Sequence, residues 1–123
     1  MPTYVTFFSY TSEAWKRMID RPENRAVAAR ELIEKVGGRM EAFYWMFGEW
    51  DGFVVYEVGD PAIAATFSGV VTASGLIERV KTQQLLRMED VRTALDLAHK
   101  LDAVYVPPGG QREWLADYDA IDR

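Results

Sequence analysis

An aromatic-rich stretch over residues 43–55 constrains the fold of this chain more than any other segment. Residues 40–47 and 53–58 are rich in aromatic and β-branched side chains, which favour β-strands. Between them lies Gly48-Glu49-Trp50-Asp51-Gly52, and two glycines with an aspartate are typical of a hairpin loop. The stretch is therefore predicted to form two strands joined by a short polar loop.

Both faces of the first of these strands are predicted to be largely apolar. Side chains alternate across a strand, so the residues divide into two sets, Met40, Ala42, Tyr44 and Met46 on one face and Glu41, Phe43, Trp45 and Phe47 on the other. A sheet covered by helices on one face and by water on the other would show a cleaner alternation. We expect the second face to be covered by another subunit or to line a ligand pocket, and the two are compatible.

The whole chain predicts the order β-α-β-β-α-β with one further helix. The expected elements are a strand at 3–9, helices at 12–19 and 23–36, strands at 40–47 and 53–58, a helix from Pro61 to about Ser74, a strand at 77–86 and a helix at 89–101. Caps are expected at Thr11 or Ser12 and at Asp60. This order predicts a ferredoxin-like α+β fold with an antiparallel four-stranded sheet.

The C-terminal part is predicted to be an addition to that domain. Residues 1–101 are expected to form the ferredoxin-like domain, and residues 102–123 an extension. The run Tyr105-Val106-Pro107-Pro108-Gly109-Gly110 cannot continue a helix, since prolines and glycines interrupt it. Residues 111–123 have apolar side chains at roughly helical spacing, and a helix of that length is marginal alone. We expect the extension to pack on its own domain or on a neighbouring subunit.

The composition excludes several classes of function. The 123 residues include no cysteine, so disulfides, thiolate nucleophiles and Cys-ligated metals are excluded. The net charge of −5 would repel nucleic acid, and no apolar run approaches the ~20 residues that span a bilayer. The N-terminus begins directly with a strand pattern and not with a signal peptide. We expect a cytoplasmic protein that binds neither nucleic acid nor membrane.

The hairpin also resembles the GYD domain family. The matching residues are Phe43-Tyr44-Trp45 and Gly48-Glu49-Trp50-Asp51, where Trp50 replaces the usual Tyr of the signature. Further similar positions are Pro22, Ala28-Ala29-Arg30, Gly37-Gly38, Asp60-Pro61, Phe67, Thr82 and Glu89-Asp90. The resemblance covers roughly residues 3–96. It implies a ferredoxin-like α+β domain that oligomerises in the manner of the dimeric α/β barrels, and it implies no settled activity.

Aromatic residues of the hairpin and its neighbours are candidate ligand-binding residues. Tyr44, Trp45, Trp50 and Trp15 could line an apolar pocket in which a few polar groups orient a flat ligand. Tyr4 and Tyr56, predicted on the central strands, could supply phenol hydroxyls to the same cavity. The alternative for all six residues is packing in the core or at a subunit interface, where Tyr and Trp are also enriched.

Glu49 and Asp51 are the candidate catalytic residues, because two carboxylates at a hairpin loop can act as general acid and base. The alternative is that Asp51 stabilises the turn while Glu49 is solvated. His99 is the only histidine, so one chain cannot build a catalytic triad or a multi-histidine metal site. Phosphate-binding, dinucleotide-binding and metal-binding motifs are absent. No metal and no cofactor are therefore expected.

Three functions fit these observations. The first is a homo-oligomeric domain that binds a small apolar or aromatic ligand in an aromatic-lined cavity. The second is a cofactor-free enzyme, similar to small isomerases, cyclases or monooxygenases, in which Glu49, Asp51 or a tyrosine acts as acid or base; it rests on fold analogy alone. The third is an interaction subunit that binds a partner through residues 102–123.

Overall fold

The computed structural model describes residues 1–110 of the chain. The chain divides into two compact units, Met1–Leu85 and a unit that begins at Leu86. The first unit contains β1 (Thr3–Tyr10), α1 (Ser12–Asp20), α2 (Arg25–Lys35), β2 (Arg39–Trp45), β3 (Gly52–Glu57), α3 (Pro61–Ala73) and β4 (Ile77–Leu85). The second unit contains α4 (Met88–Asp102). The elements predicted over residues 3–101 are all present, with ends that differ by a few residues.

The four strands form one antiparallel sheet in the order β2-β3-β1-β4. Its central strand β1 pairs antiparallel with β3 on one side and with β4 on the other. The structure is therefore an α+β fold with a four-stranded antiparallel sheet and four helices in the described residues, which confirms the predicted class and sheet. The order of strands is compatible with the ferredoxin-like fold.

Side chains cap the helices of the first unit as the sequence pattern indicates. The Thr11 hydroxyl accepts the backbone N–H of Ala14 over 3.2 Å at the start of α1. The Asp60 carboxylate accepts the backbone N–H of Ile63 over 3.1 Å before the Pro61 that opens α3. Such caps bind N–H groups that have no partner within the helix. The predicted caps at Thr11 and Asp60 are confirmed.

A β-bulge in β2 changes which of its residues share a face. The pairing register of β2 with β3 shifts between Met40 and Ala42. The uninterrupted alternation predicted for this strand is therefore wrong at that point, because the extra residue of a bulge reverses the side of the sheet to which the following side chains belong. Met40 shares a face with Phe43 and Trp45, and not with Tyr44.

The hydrophobic core lies between one face of the sheet and helices α1, α2 and α3. One cluster of buried side chains surrounds Tyr56 and Phe67, and a second surrounds Phe8 and Ala14. We call this side of the sheet the helix face. The opposite side, called the second face below, carries Val5, Phe7, Tyr44, Phe53 and Val55.

The second unit is described as far as Gly110. Its helix α4 begins after Arg87, whose backbone N–H donates to the Asp90 carboxylate over 3.0 Å. The helix is followed by a turn in which the backbone N–H of Tyr105 donates to the carbonyl of Leu101 over 3.0 Å. The short helix predicted over residues 111–123 lies outside the described residues. In the part of the chain that is described, no helix combines the length and apolar character needed to cross a bilayer.

Candidate functional site

A cavity of about 490 Å³ lies between the helix face of the sheet and the helices of the first unit. Its wall is largely apolar and includes five aromatic residues. The lining residues of the sheet are Thr6, Phe8, Tyr10, Phe43, Val54, Tyr56, Ile77 and Val80. Those of the helices and their connections are Ala14, Arg17, Met18, Glu23, Arg25, Ala28, Ala29, Leu32, Ile33, Phe67, Val70, Val71, Ser74 and Leu76. An interior normally packs without voids of this size, so the cavity is a candidate binding site.

Hydroxyl groups form a connected network at the sheet side of the cavity. The Thr6 hydroxyl lies 2.8 Å from the Tyr56 hydroxyl and 2.8 Å from that of Thr82. The Ser68 hydroxyl in turn lies 3.3 Å from Thr82. Burial raises the pKa of Tyr56, while the hydrogen bonds with Thr6 and Thr82 act in the opposite direction. Tyr56 therefore stays a neutral phenol, and the hydroxyls of this wall satisfy one another.

A second polar group lies where α2 begins. The Arg25 guanidinium donates to the Glu23 carboxylate over 3.1 Å and interacts electrostatically with the Tyr10 hydroxyl. Burial acts to lower the pKa of Arg25, but its interactions with Tyr10 and Glu23 raise it above the usual value. Burial raises the pKa of Tyr10 despite its interaction with Arg25. The group therefore combines a permanent cation, a carboxylate and a neutral phenol.

The two tyrosines predicted to supply phenol hydroxyls lie next to each other on the helix face. Tyr56 lines the cavity, as proposed from the sequence. Tyr4 stacks on Tyr56 with ring centroids 5.9 Å apart. The Tyr4 hydroxyl is buried without a hydrogen-bond partner among the described residues. Tyr4 packs in the core beside the cavity wall and is not among the residues that line it in the described chain.

Trp15 and Trp45 meet at the end of the sheet where Tyr10 lies. Their ring centroids are 5.7 Å apart, and the ring centroid of Tyr10 lies 6.1 Å from that of Trp15 and 5.6 Å from that of Trp45. Both tryptophans are partly exposed, at 38% and 47% respectively. They contact a cavity-lining residue and do not themselves belong to the wall as it is described. The structure thus brings these two predicted residues together at Tyr10.

Tyr44 and Trp50 lie on the other side of the sheet. Tyr44 stacks on Phe53 with ring centroids 5.4 Å apart. Trp50 lies 6.0 Å from the ring of Phe7, and the Arg79 guanidinium lies 4.4 Å from its ring centre. The six predicted ligand-binding residues are therefore divided between the two faces of the sheet, and the structure does not bring them into one site.

The two candidate catalytic carboxylates have different surroundings. Asp51 accepts the backbone N–H of Tyr10 over 2.8 Å and the indole N–H of Trp15 over 3.2 Å. Glu49 is exposed, and its backbone carbonyl accepts a hydrogen bond of 2.7 Å from Arg79. In the described chain, neither carboxylate belongs to the cavity wall. The Asp51 side chain therefore joins the hairpin loop to β1 and α1. Its backbone carbonyl accepts the backbone N–H of Met46 over 2.9 Å, which closes the loop.

Arg25 is one of the residues of this site that the sequence analysis missed. A signal was present, because Arg25 precedes Ala28, Ala29 and Leu32 by three, four and seven residues and so shares the apolar stripe of α2. A cation on a stripe that faces the core needs partners there. The structure provides them in Tyr10 and Glu23. No comparable pattern marks Tyr10 or Thr6, which are ordinary strand residues in the sequence.

The described residues contain no group of three or more His, Asp or Glu side chains that could hold a metal ion. His99 lies in the last turn of α4, where a cation suits the negative end of a helix.

The fold and the cavity define a class of protein, a small α+β domain in which an apolar cavity lies between a four-stranded antiparallel sheet and its helices. The chain belongs to the GYD domain family, whose model matches residues 4–95. The resemblance inferred from the hairpin is confirmed over nearly the whole expected range. A search of the curated proteins found no match.

Proposed function

We propose that this protein is a homo-oligomeric domain that binds a small apolar ligand in the cavity between the sheet and α1, α2 and α3. The observation that carries the proposal is the cavity itself, at about 490 Å³. Ligand pockets in proteins measure about 300–1,000 Å³ and combine apolar walls with a few well-placed polar groups. The wall here has that composition, with polar groups near Thr6 and near Arg25.

The aromatic residues support a flat or compact ligand. Phe8, Phe43 and Phe67 line the cavity together with Tyr10 and Tyr56. Aromatic rings attract other rings and polarisable groups beyond simple burial. The aromatic wall lies on the helix face, so the ligand would bind within one subunit.

The second face supports assembly with another copy of the chain. Phe53 lies between Phe7 and Tyr44, with ring centroids 5.8 and 5.4 Å away. Tyr44 is 59% exposed, which leaves apolar surface available to a partner. Two such faces related by a two-fold axis would bury these rings against each other, in the manner of a dimeric α/β barrel. In such a dimer, the sheet of the partner subunit would cover the second apolar face of β2.

Native mass spectrometry of freshly purified protein tests both parts of the proposal. The expected result is a species with twice the 14.0 kDa mass of the chain, with additional mass where a ligand has been retained. A bare monomer at micromolar concentration would contradict the assembly. The enzyme alternative with Glu49 and Asp51 and the interaction alternative through residues 102–123 gain no specific support from the geometry.

A further inference from the structure

We propose that the ligand of the cavity is an apolar monocarboxylic acid, with its carboxylate on Arg25 and its hydrocarbon body against the apolar wall. The proposal rests on the proposed function, since it names the ligand class for the same cavity. It follows from the placement of charge, from the geometry of the Arg25 group and from the character of the remaining wall.

The charged side chains of the cavity wall come from α1, from α2 and from the segment between them. The charged residues that line the cavity in the described chain are Arg17, Arg25 and Glu23, two cations and one anion. Both arginines are already ion-paired, Arg17 with Glu13 over 2.8 Å and Arg25 with Glu23 over 3.1 Å. An anionic ligand at this part of the wall would therefore share or exchange the carboxylate of an existing pair.

Arg25 is built to hold a carboxylate. Its guanidinium has five N–H donors in a planar fork, a shape that matches the two oxygens of a carboxylate. One N–H donor of Arg25 already binds the Glu23 carboxylate over 3.1 Å, so the guanidinium is placed where it can bind a carboxylate. The Glu23 side chain is 56% exposed, whereas that of Arg25 is 35% exposed. A ligand carboxylate can therefore join or displace Glu23 on the cavity side of Arg25.

Tyr10 supplies a second contact to the same head group. Tyr10 lines the same cavity as Arg25 and interacts with it electrostatically, and its hydroxyl can donate to a ligand oxygen. Because the Asp51 carboxylate holds the backbone N–H of Tyr10 over 2.8 Å, the position of this residue is fixed from outside the cavity. A phenol and a guanidinium side by side give a carboxylate both a neutral and a charged donor.

The rest of the wall favours a hydrocarbon body. The hydroxyls of Thr6 and Tyr56 lie 2.8 Å apart and are hydrogen-bonded to each other. They therefore do not require a polar group of the ligand as a partner. Around them the wall is made of aliphatic and aromatic side chains such as Leu32, Val54 and Phe67. A second polar group on the ligand would lose its hydration there without gaining a partner.

Isothermal titration calorimetry of the full chain at pH 7 tests this inference with matched pairs of ligands that differ only in charge. The pairs are octanoate with octanamide and 2-naphthoate with 2-naphthamide. At least one carboxylate is expected to bind about tenfold more tightly than its amide, which corresponds to one charge-assisted contact. Equal affinities within both pairs would overturn the carboxylate class and leave the cavity as a ligand site. Binding of none of the four would overturn the proposed function as well.

Two substitutions of opposite effect locate the head group. Arg25→Gln is expected to remove the preference for the carboxylate and to leave the affinity for the amide unchanged, which also shows that the cavity is intact. Glu23→Gln removes a competing carboxylate and is expected to strengthen binding of the acid severalfold. Arg30→Gln, on an exposed position of the same helix, is the control. A preference that survives Arg25→Gln would place the carboxylate elsewhere and overturn the assignment.

Discussion

The Asp51 carboxylate accepts the backbone N–H of Tyr10 over 2.8 Å, which ties the hairpin loop to the end of β1. The same oxygen accepts the indole N–H of Trp15 on α1 over 3.2 Å. Tyr10 also lines the cavity and interacts electrostatically with Arg25. The loop that carries the family signature is therefore connected through Asp51 to the polar end of the cavity, although the loop itself lies outside it.

Replacing Asp51 with Ala is expected to destabilise the protein by about 1.5–3 kcal/mol, because two N–H donors lose an ionised acceptor. Urea unfolding followed by tryptophan fluorescence measures the change. Glu49→Ala, in the same loop but exposed, is the control and should change the free energy of unfolding by less than about 0.5 kcal/mol. Equal effects of the two substitutions would contradict the structural role of Asp51.

Replacing Gly52 with Ala is expected to destabilise the protein by about 1–3 kcal/mol, since overpacking forces neighbours to move. A Cβ atom at this position would lie 2.6 Å from the Phe8 ring and 2.7 Å from the carbonyl oxygen of Tyr44. Gly69→Ala is a control that is expected to change the stability of the protein in the opposite direction. It lies inside α3 with open space around it, and alanine should stabilise the helix there by about 0.5–1 kcal/mol. Thermal unfolding of both variants tests the pair.

Stability is expected to fall as the pH rises above about 10, because burial raises the pKa of Tyr56 and of Tyr10 above the usual 10.0. In this range the unfolded chain loses the phenol proton while the folded chain retains it. The unfolded state then binds fewer protons, so the free energy of unfolding decreases with pH. Below pH 10 both states are protonated and the contribution is fully present.

Tyr56→Phe removes one of these titrating groups. Urea unfolding at pH values from 9 to 11 is expected to show a smaller loss of stability with pH in the variant than in the native chain. Identical slopes for the two proteins would show that the pKa of Tyr56 does not differ between the folded and unfolded states.

Replacing Phe53 with Arg is expected to convert the proposed dimer into a monomer, because an unpaired charge would be buried at the centre of the second face. Sedimentation equilibrium measures the mass of the assembly. Ala65→Arg, on an exposed position of α3, is the control and should leave the dimer intact. A Phe53→Arg variant that stays dimeric would exclude the second face as the interface.

The order of elements was predictable because each element carries local signals. Thr11 and Asp60 mark the starts of α1 and α3 through their side-chain hydrogen bonds, and these depend on neighbouring residues alone. The bulge beside Met40 was not predictable from alternation, because it is defined by the register with β3. The extra residue of the bulge places Met40 on the face of Phe43, whereas uninterrupted alternation predicts opposite faces.

The site was predicted only in part, for a similar reason. Aromatic composition pointed to a cavity near the hairpin, and Tyr56 does line it. Composition does not indicate which face of the sheet an aromatic residue occupies. The sequence analysis therefore assigns Tyr44 and Trp50 to the same predicted pocket as residues of the helix face. The polar group around Arg25 forms because the fold brings Arg25 close to Tyr10, and 14 residues separate the two in the chain. A local sequence pattern does not predict a contact between residues so far apart.

Nuclear magnetic resonance titration of the isotope-labelled chain with neutral 2-naphthamide tests the central claim, that the cavity is the ligand site. The predicted result is chemical-shift change concentrated at cavity residues such as Thr6, Ala28 and Val71, lost in Ala28→Phe and kept in Ala65→Phe. Changes confined to the second face, at Val55 and Phe53, or no change at saturating concentration, would contradict the account.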